Sequence, residues 1–322
     1  MTAIGGFFPL ELPGDGAPYH KHALALATGR ACLRRILECV GPSRVWTPFY
    51  VCDAVLPAIR HTGASVEFYA IDAALDPVLP AGQPSEGDAV IYVNYFGIKK
   101  ATASEVARAA AGRAIIDDTQ AFFQTGYPPA YSFNSARKFF GVPDGGYAFG
   151  DGLDRAPVRT SGPVHYEHLV TALMGDRALA FDQYRRSEEC MTHEPVAMSG
   201  LSRRLLSGVD YASVRRTRVA NFNRLHARLG ARNRLTIPDG GADAGPYCYP
   251  LLAAAPVSFE RFWARELFVP RLWPEVATRS GPAAFEWERE LAACLLPLPI
   301  DQRYGAADMD RVADIVGEVL KW

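Results

Sequence analysis

The chain has 322 residues, 49% of them hydrophobic, and balances 34 basic against 35 acidic side chains; it can build a sizeable core, its length points to two domains, and it has no charge excess to favour nucleic acid or an anionic membrane as partner. The six cysteines, at 32, 39, 52, 190, 248 and 294, show no paired short spacing, which argues against a zinc cluster or a disulfide scaffold and points to a reducing cytoplasm. The N-terminus lacks a basic stretch followed by an apolar core, and no apolar run approaches the roughly 20 residues of a spanning helix.

In chain order, Thr28-Gly-Arg-Ala-Cys-Leu33 opens a segment with Leu33, Ile36, Leu37 and Val40 at i, i+3, i+4 and i+7, which predicts a helix with a small-residue start. Free amides there, aided by the helix dipole, can hold a phosphate, and Gly29 removes the side chain that would block it; a capped helix start without ligand fits the segment equally. From Arg44 to Gly150 short apolar runs alternate with helical patterns: Val45–Pro48, Ser65–Tyr69, Ala89–Asn94 and Ala114–Asp117 read as strands, Cys52–His61 and Ser104–Ala111 as crossover helices, the latter with Ser104 as N-cap. This is the pattern of an α/β layer with a largely parallel sheet. Further on, 163–186, Ser213–Leu229, Ser258–Leu267 and Ala306–Leu320 read as helices and Tyr247–Leu252 as a strand, giving a smaller α+β C-terminal domain. We place the large α/β domain at 1–190 and the small one at 191–322.

Two positions stand out chemically. Asp117 ends a β-like run, where open α/β sheets bind ligands, and its carboxylate could pair with a cationic ring nitrogen while Gln120 donates to a phenolate oxygen; loop capping explains both as well. Lys138 is one of only five lysines against 29 arginines, and it lies in the glycine-flanked stretch Ser132-Phe-Asn-Ser-Ala-Arg-Lys-Phe-Phe-Gly-Val-Pro-Asp-Gly-Gly146. A guanidinium stays protonated, whereas a partly desolvated amine can condense with a carbonyl, so a lysine kept in an arginine-rich chain suits imine chemistry. An ordinary lysine beside an aromatic pair is the competing reading.

Together these segments resemble the DegT/DnrJ/StrS family, fold-type I pyridoxal phosphate enzymes that aminate nucleotide-linked keto sugars. Its Ser-Gly-Thr-Ala-Ala is echoed by Thr28-Gly-Arg-Ala-Cys, its Glu-Asp-x-Ala-Gln/His by Ile116-Asp-Asp-Thr-Gln120, and its lysine followed by Gly-Glu-Gly-Gly by Lys138 followed by Pro143-Asp-Gly-Gly146. Val93-Asn-Tyr-Phe-Gly97 and Leu296-Pro-Leu-Pro-Ile-Asp-Gln-Arg-Tyr304 are similar to the family as well. The resemblance implies a mostly parallel sheet flanked by helices, pyridoxal 5′-phosphate as cofactor, Lys138 as Schiff-base lysine, and Asp117 as the partner of the pyridine nitrogen. It also implies Gln120 at the ring hydroxyl, and Gly29, Arg30 and Ala31 at the phosphate. Ser132 lies six residues before Lys138 and Ser135 three, where the family has a phosphate-binding serine at five, so either can serve. Where the family often stacks an aromatic on the ring, this chain has Cys52; either Tyr50 substitutes or the ring is held differently.

The implied activity is transfer of an amino group, from glutamate, to a keto group of a nucleotide-linked sugar or related small molecule, by a cytoplasmic homodimer without metal. A pyridoxal phosphate lyase or dehydratase, and a non-catalytic relative acting as a binding or regulatory module, are the alternatives; retention of Lys138 favours transamination. A nicotinamide enzyme is the remaining rival, and the absence of a strand followed by Gly-x-Gly-x-x-Gly argues against it. His165 and His168, like His20 and His22, are too close for an i, i+4 metal pair and read as surface or capping residues.

Overall fold

The computed structural model describes residues 12, 16–110, 112–156, 158–281 and 285–322; most of the N-terminal stretch read above for a leader, and Ala111 of an expected helix, lie outside them. The first half forms one eight-stranded sheet from β1 (Leu24–Leu26), β2 (Arg44–Pro48), β3 (Ser65–Ile71), β4 (Pro77–Val78), β5 (Asp88–Val93), β6 (Ala114–Asp117), β7 (Tyr131–Ser135) and β8 (Gly146–Phe149), in the order β1-β8-β7-β6-β5-β2-β3-β4. The five central strands β7, β6, β5, β2 and β3 are mutually parallel, and β1, β8 and β4 close the two sides through antiparallel pairings. The cause lies in the sequence: Asp88-Ala-Val-Ile-Tyr-Val93 and Ala114-Ile-Ile-Asp117 are buried throughout, as strands must be when both faces of a parallel sheet are covered.

Helix α1 (Gly29–Val40) supplies part of that cover. Thr28 caps it by accepting from the Ala31 N–H, Gly41 ends it at φ 61°, and Leu33, Ile36 and Leu37 face the core. Helices α2 (Val55–Arg60) and α3 (Lys100–Ala109) make the expected crossovers with different boundaries. Lys99 rather than Ser104 precedes α3; Ser104 lies inside it and its hydroxyl donates to the Lys100 carbonyl at 2.9 Å.

The helix expected over 163–186 is two, α4 (Glu167–Leu173) and α5 (Arg177–Glu189), because Gly175 takes φ 96° and Asp176 caps a new start through the Leu179 N–H. Helices α6 (Gly200–Ser207) and α7 (Tyr211–Leu229) follow. Strand β9 (Cys248–Leu252) pairs antiparallel with β10 (Leu295–Pro299), with α8 (Glu260–Trp263) and α9 (Glu286–Cys294) between them and α10 (Ala306–Leu320) closing the chain. The helix expected over Ser258–Leu267 is confined to α8, and Glu266 stands just beyond it at φ 58°. Phe222, Leu225 and Leu229 of α7 join Met309, Val312, Val316 and Val319 of α10 in the same apolar cluster as Ile36, Val90 and Ile115, so one core runs through both halves. No helix among the described residues is long and apolar enough to cross a membrane.

Candidate active site

The carboxyl ends of β6 and β7 and the N-terminus of α1 converge on a cavity of about 330 Å³. Parallel strands leave such a crevice where their connections diverge, and the residues singled out from the sequence collect there. Asp117 is the last residue of β6, Ser135 the last of β7, Lys138 the end of the short 3-10 turn Ala136–Lys138, and Gly29 and Arg30 begin α1; all five line the cavity. Cys52 enters from the connection before α2, Tyr184 and Glu188 from α5, and Tyr247 from the residue before β9.

Lys138 extends its amine to Thr119, whose Oγ1 accepts from Nζ at 3.0 Å. The Thr119 N–H in turn donates to Asp117 Oδ1 at 2.9 Å. Asp117 is buried, and burial pushes its carboxyl above the usual carboxylate range while the charge of Lys138 pulls it back. Burial also raises the Cys52 thiol above its usual value, against the pull of a backbone hydrogen bond at Ala54 and of the charges on Lys138 and Arg30. At the α1 end, Arg137 pairs with Glu188 and lies over the Tyr184 ring at 5.7 Å, and Arg30 Nη2 stands 4.0 Å from the same carboxylate.

Close approach at this end depends on glycine. A Cβ on Gly146 would lie 2.9 Å from the Gly29 nitrogen and 2.9 Å from the Asn134 oxygen, so the second glycine of Pro143-Asp-Gly-Gly146 lets β8 pass directly under the start of α1. Asp144 of the same motif serves the scaffold: it accepts the Ser199 N–H at 2.9 Å and the hydroxyls of Ser199 and Ser202, fixing the start of α6.

Four expected site residues stand elsewhere. Ser132 is fully buried on β7; strand alternation turns Phe133 and Ser135 to the cavity and Ser132 and Asn134 away, so Ser135 is the serine at its wall. Gln120 is buried and does not line the cavity; its Oε1 accepts the Phe96 N–H at 2.6 Å, while its Nε2, the donor a ring oxygen would call on, has no hydrogen-bond partner. Tyr50 stacks on Tyr95 and meets Trp273 edge-on in the core, leaving Cys52 in the cavity. The Ala31 side chain is buried and its N–H is taken by Thr28 Oγ1 at 3.0 Å. His20, read as a surface residue, is buried among Phe122, Tyr147 and Phe149, with Nε2 2.9 Å from the Phe122 carbonyl oxygen and its pKa lowered by burial to about 4. Conversely, sequence reasoning missed Thr119 as a partner of Lys138, and Arg137, Tyr184 and Glu188 altogether. Arg137 adjoins the lysine and could have been flagged; the α5 residues carry no local signal.

The donor set suits pyridoxal 5′-phosphate. A buried carboxylate at a strand end fits a ring nitrogen, a lysine amine stands beside it, and the opposite end offers the first amides of α1, the Ser135 hydroxyl and the guanidinium of Arg137, whose buried Nε has no hydrogen-bond partner. Among the described residues no group of three or more His, Cys, Asp or Glu could hold a metal.

No protein-family model and no curated protein matches the chain. Solved structures do. An aminotransferase of the DegT DnrJ EryC1 StrS type from Brucella abortus superposes with a TM-score of 0.63 at 15% identity, over 92% of this chain and 85% of that one. The putative sugar aminotransferase Spr1654 from Streptococcus pneumoniae, in its PMP form, gives 0.68 at 14% identity, over 93% and 86%. DesV from S. venezuelae, in complex with a ketimine intermediate, gives 0.65 at 18% identity, over 94% and 86%. These likenesses establish the fold as that of the fold-type I aminotransferases, the architecture expected from the sequence.

Proposed function

We propose that this chain is a pyridoxal 5′-phosphate-dependent aminotransferase that moves an amino group from glutamate to a keto group of a nucleotide-linked sugar or related small molecule. The observation that carries this reading is the linkage of the Lys138 amine and the buried Asp117 carboxylate through Thr119, in a cavity whose far end is the N-terminus of α1. Similarity to structures named as sugar aminotransferases supports it, as does DesI, solved with its TDP-sugar product and superposing with a TM-score of 0.65 at 18% identity.

When bound, the cofactor supplies a protonated pyridine ring that accepts the electron pair released at the substrate carbon. Asp117 holds the proton at the ring nitrogen, since a carboxylate in a buried position interacts strongly with the cation it faces. The Lys138 amine would hold the cofactor and would serve as the base that moves a proton at the donor carbon. Thr119 keeps the amine at that station. Arg30, Ser135 and the leading α1 amides would hold the phosphate.

The same reading takes residues 1–190 as the cofactor-binding domain, 191–322 as the smaller one, and the working form as a cytoplasmic homodimer. Seven of the ten exposed large hydrophobic side chains among the described residues fall between Tyr166 and Tyr184, with Leu173 87%, Met174 81% and Phe181 61% exposed. An apolar hairpin of this extent asks for a protein surface to cover it, and its second helix already lines the cavity. A purified protein that binds pyridoxal 5′-phosphate, releases 2-oxoglutarate from glutamate and aminates a keto sugar nucleotide bears the proposal out; one that takes up no cofactor refutes it.

A further inference from the structure

The α1 end of the cavity already holds an anion belonging to the chain. Glu188 points its carboxylate at two guanidinium groups, pairing with Arg137 through one oxygen while Arg30 Nη2 stands 4.0 Å from the other. Two cations face one negative charge there, and the N-terminal dipole of α1 adds to the positive side. Arg137 also keeps a buried Nε without a partner, so a single carboxylate leaves donor capacity unused. A phosphate, with a charge near −2 and three strong acceptor oxygens, matches this set better than a carboxylate does.

Glu188 is also loosely held. It lies in the last turn of α5, where the negative end of that helix dipole disfavours a carboxylate, and about a third of its side chain is open to solvent. Moving outward would return it to water and leave both arginines facing the cavity. Its neighbour Ser187 is buried and donates to the Tyr184 carbonyl, so the backbone of the turn stays anchored while the Glu188 side chain moves.

We propose that Glu188 is a built-in competitor for the phosphate subsite: Arg30 and Arg137 hold its carboxylate in the free chain and exchange it for a ligand's phosphate dianion on binding. This deepens the cofactor reading and rests on it for the identity of the ligand that carries the phosphate. Arg137 becomes a phosphate-binding residue and Glu188 sets how tightly the subsite binds, while covalent capture stays with Lys138.

The test is calorimetric titration of the full chain with inorganic phosphate, pyridoxal and pyridoxal 5′-phosphate, in wild type, Glu188→Gln, Arg137→Gln and Arg30→Gln, each matched to wild type in circular dichroism and unfolding midpoint. Glu188→Gln keeps the shape and removes the competing charge, so inorganic phosphate and pyridoxal 5′-phosphate should bind about fivefold tighter, the factor of a surface ion pair at the upper end of its range. Pyridoxal should be unaffected, and both arginine variants should weaken the two phosphate ligands. Phosphate binding unchanged or weaker in Glu188→Gln overturns the proposal, because the carboxylate would then be holding the arginines in place. An equal gain for pyridoxal overturns it too. Absence of covalent capture at Lys138 sinks the cofactor reading alone, since the inorganic phosphate titration stands without it.

Discussion

Lys138 and Thr119 meet at 3.0 Å, amine to hydroxyl, and the N–H of the same threonine donates to Asp117 at 2.9 Å. One residue thus sets the position of both charged groups of the proposed chemistry, by its side chain for the amine and its backbone for the carboxylate. Thr119→Val keeps the backbone bond and the shape but removes the hydroxyl. Its turnover should fall about tenfold, the worth of one hydrogen bond to a charged group, with cofactor retained. Thr119→Ser should restore most of the loss, as steady-state kinetics of the three proteins would show.

Asp117 carries a pH signature. Burial raises its carboxyl above the ordinary 3.8, so the folded chain holds a proton that the unfolded chain releases. The stability it contributes is therefore complete below 3.8 and is lost as pH rises through the folded value. Asp117→Asn, neutral at every pH, should show a higher urea midpoint than the cofactor-free wild type at neutral pH, and the gap should close as pH falls towards 3.8. The same variant should lose turnover. A gap independent of pH would contradict the assignment.

Gly146 tests the seating of α1. A methyl group there would stand 2.9 Å from backbone atoms of Thr28, Gly29 and Asn134, none of which can swing aside. Gly146→Ala should cost about 1–3 kcal/mol in denaturant unfolding, the usual range for overpacking, and should weaken phosphate binding because the α1 amides move with it.

The α4–α5 hairpin predicts the assembly state. Replacing Leu173 and Phe181, both well exposed, by glutamate should turn a dimer into a monomer in sedimentation velocity without lowering the unfolding midpoint of the monomer. A wild-type chain that sediments as a monomer at micromolar concentration would contradict the dimer.

The central sheet was legible because a parallel strand covered on both faces must be apolar along its length, as in Ala89–Val93 and Ala114–Ile116. The place of Asp117 and Lys138 on the cavity was legible for a different reason: both sit beside a sequence signal, a strand end and a glycine-rich turn. The choice between Ser132 and Ser135 depends on the face that β7 turns to the cavity, which follows from its alternation only when its start is known. That Gln120 does not line the cavity was not legible, because its Oε1 is fixed by the N–H of Phe96, 24 residues earlier. Glu188 was beyond reach from the sequence, since its pairing with Arg137 spans 51 residues and joins α5 to the turn Ala136–Lys138 that follows β7. The split between α4 and α5 was overrun because helical periodicity continues on both sides of Gly175, whose positive φ breaks the helix.

The most direct test of the account is to load the purified chain with pyridoxal 5′-phosphate, reduce it with borohydride, and map the modified residue by peptide mass spectrometry. The account predicts a single phosphopyridoxyl group on Lys138 and none in Lys138→Ala. A label on Lys99, which is buried and paired with Asp76 at 2.7 Å, or on Lys100, or no label at all, would contradict it.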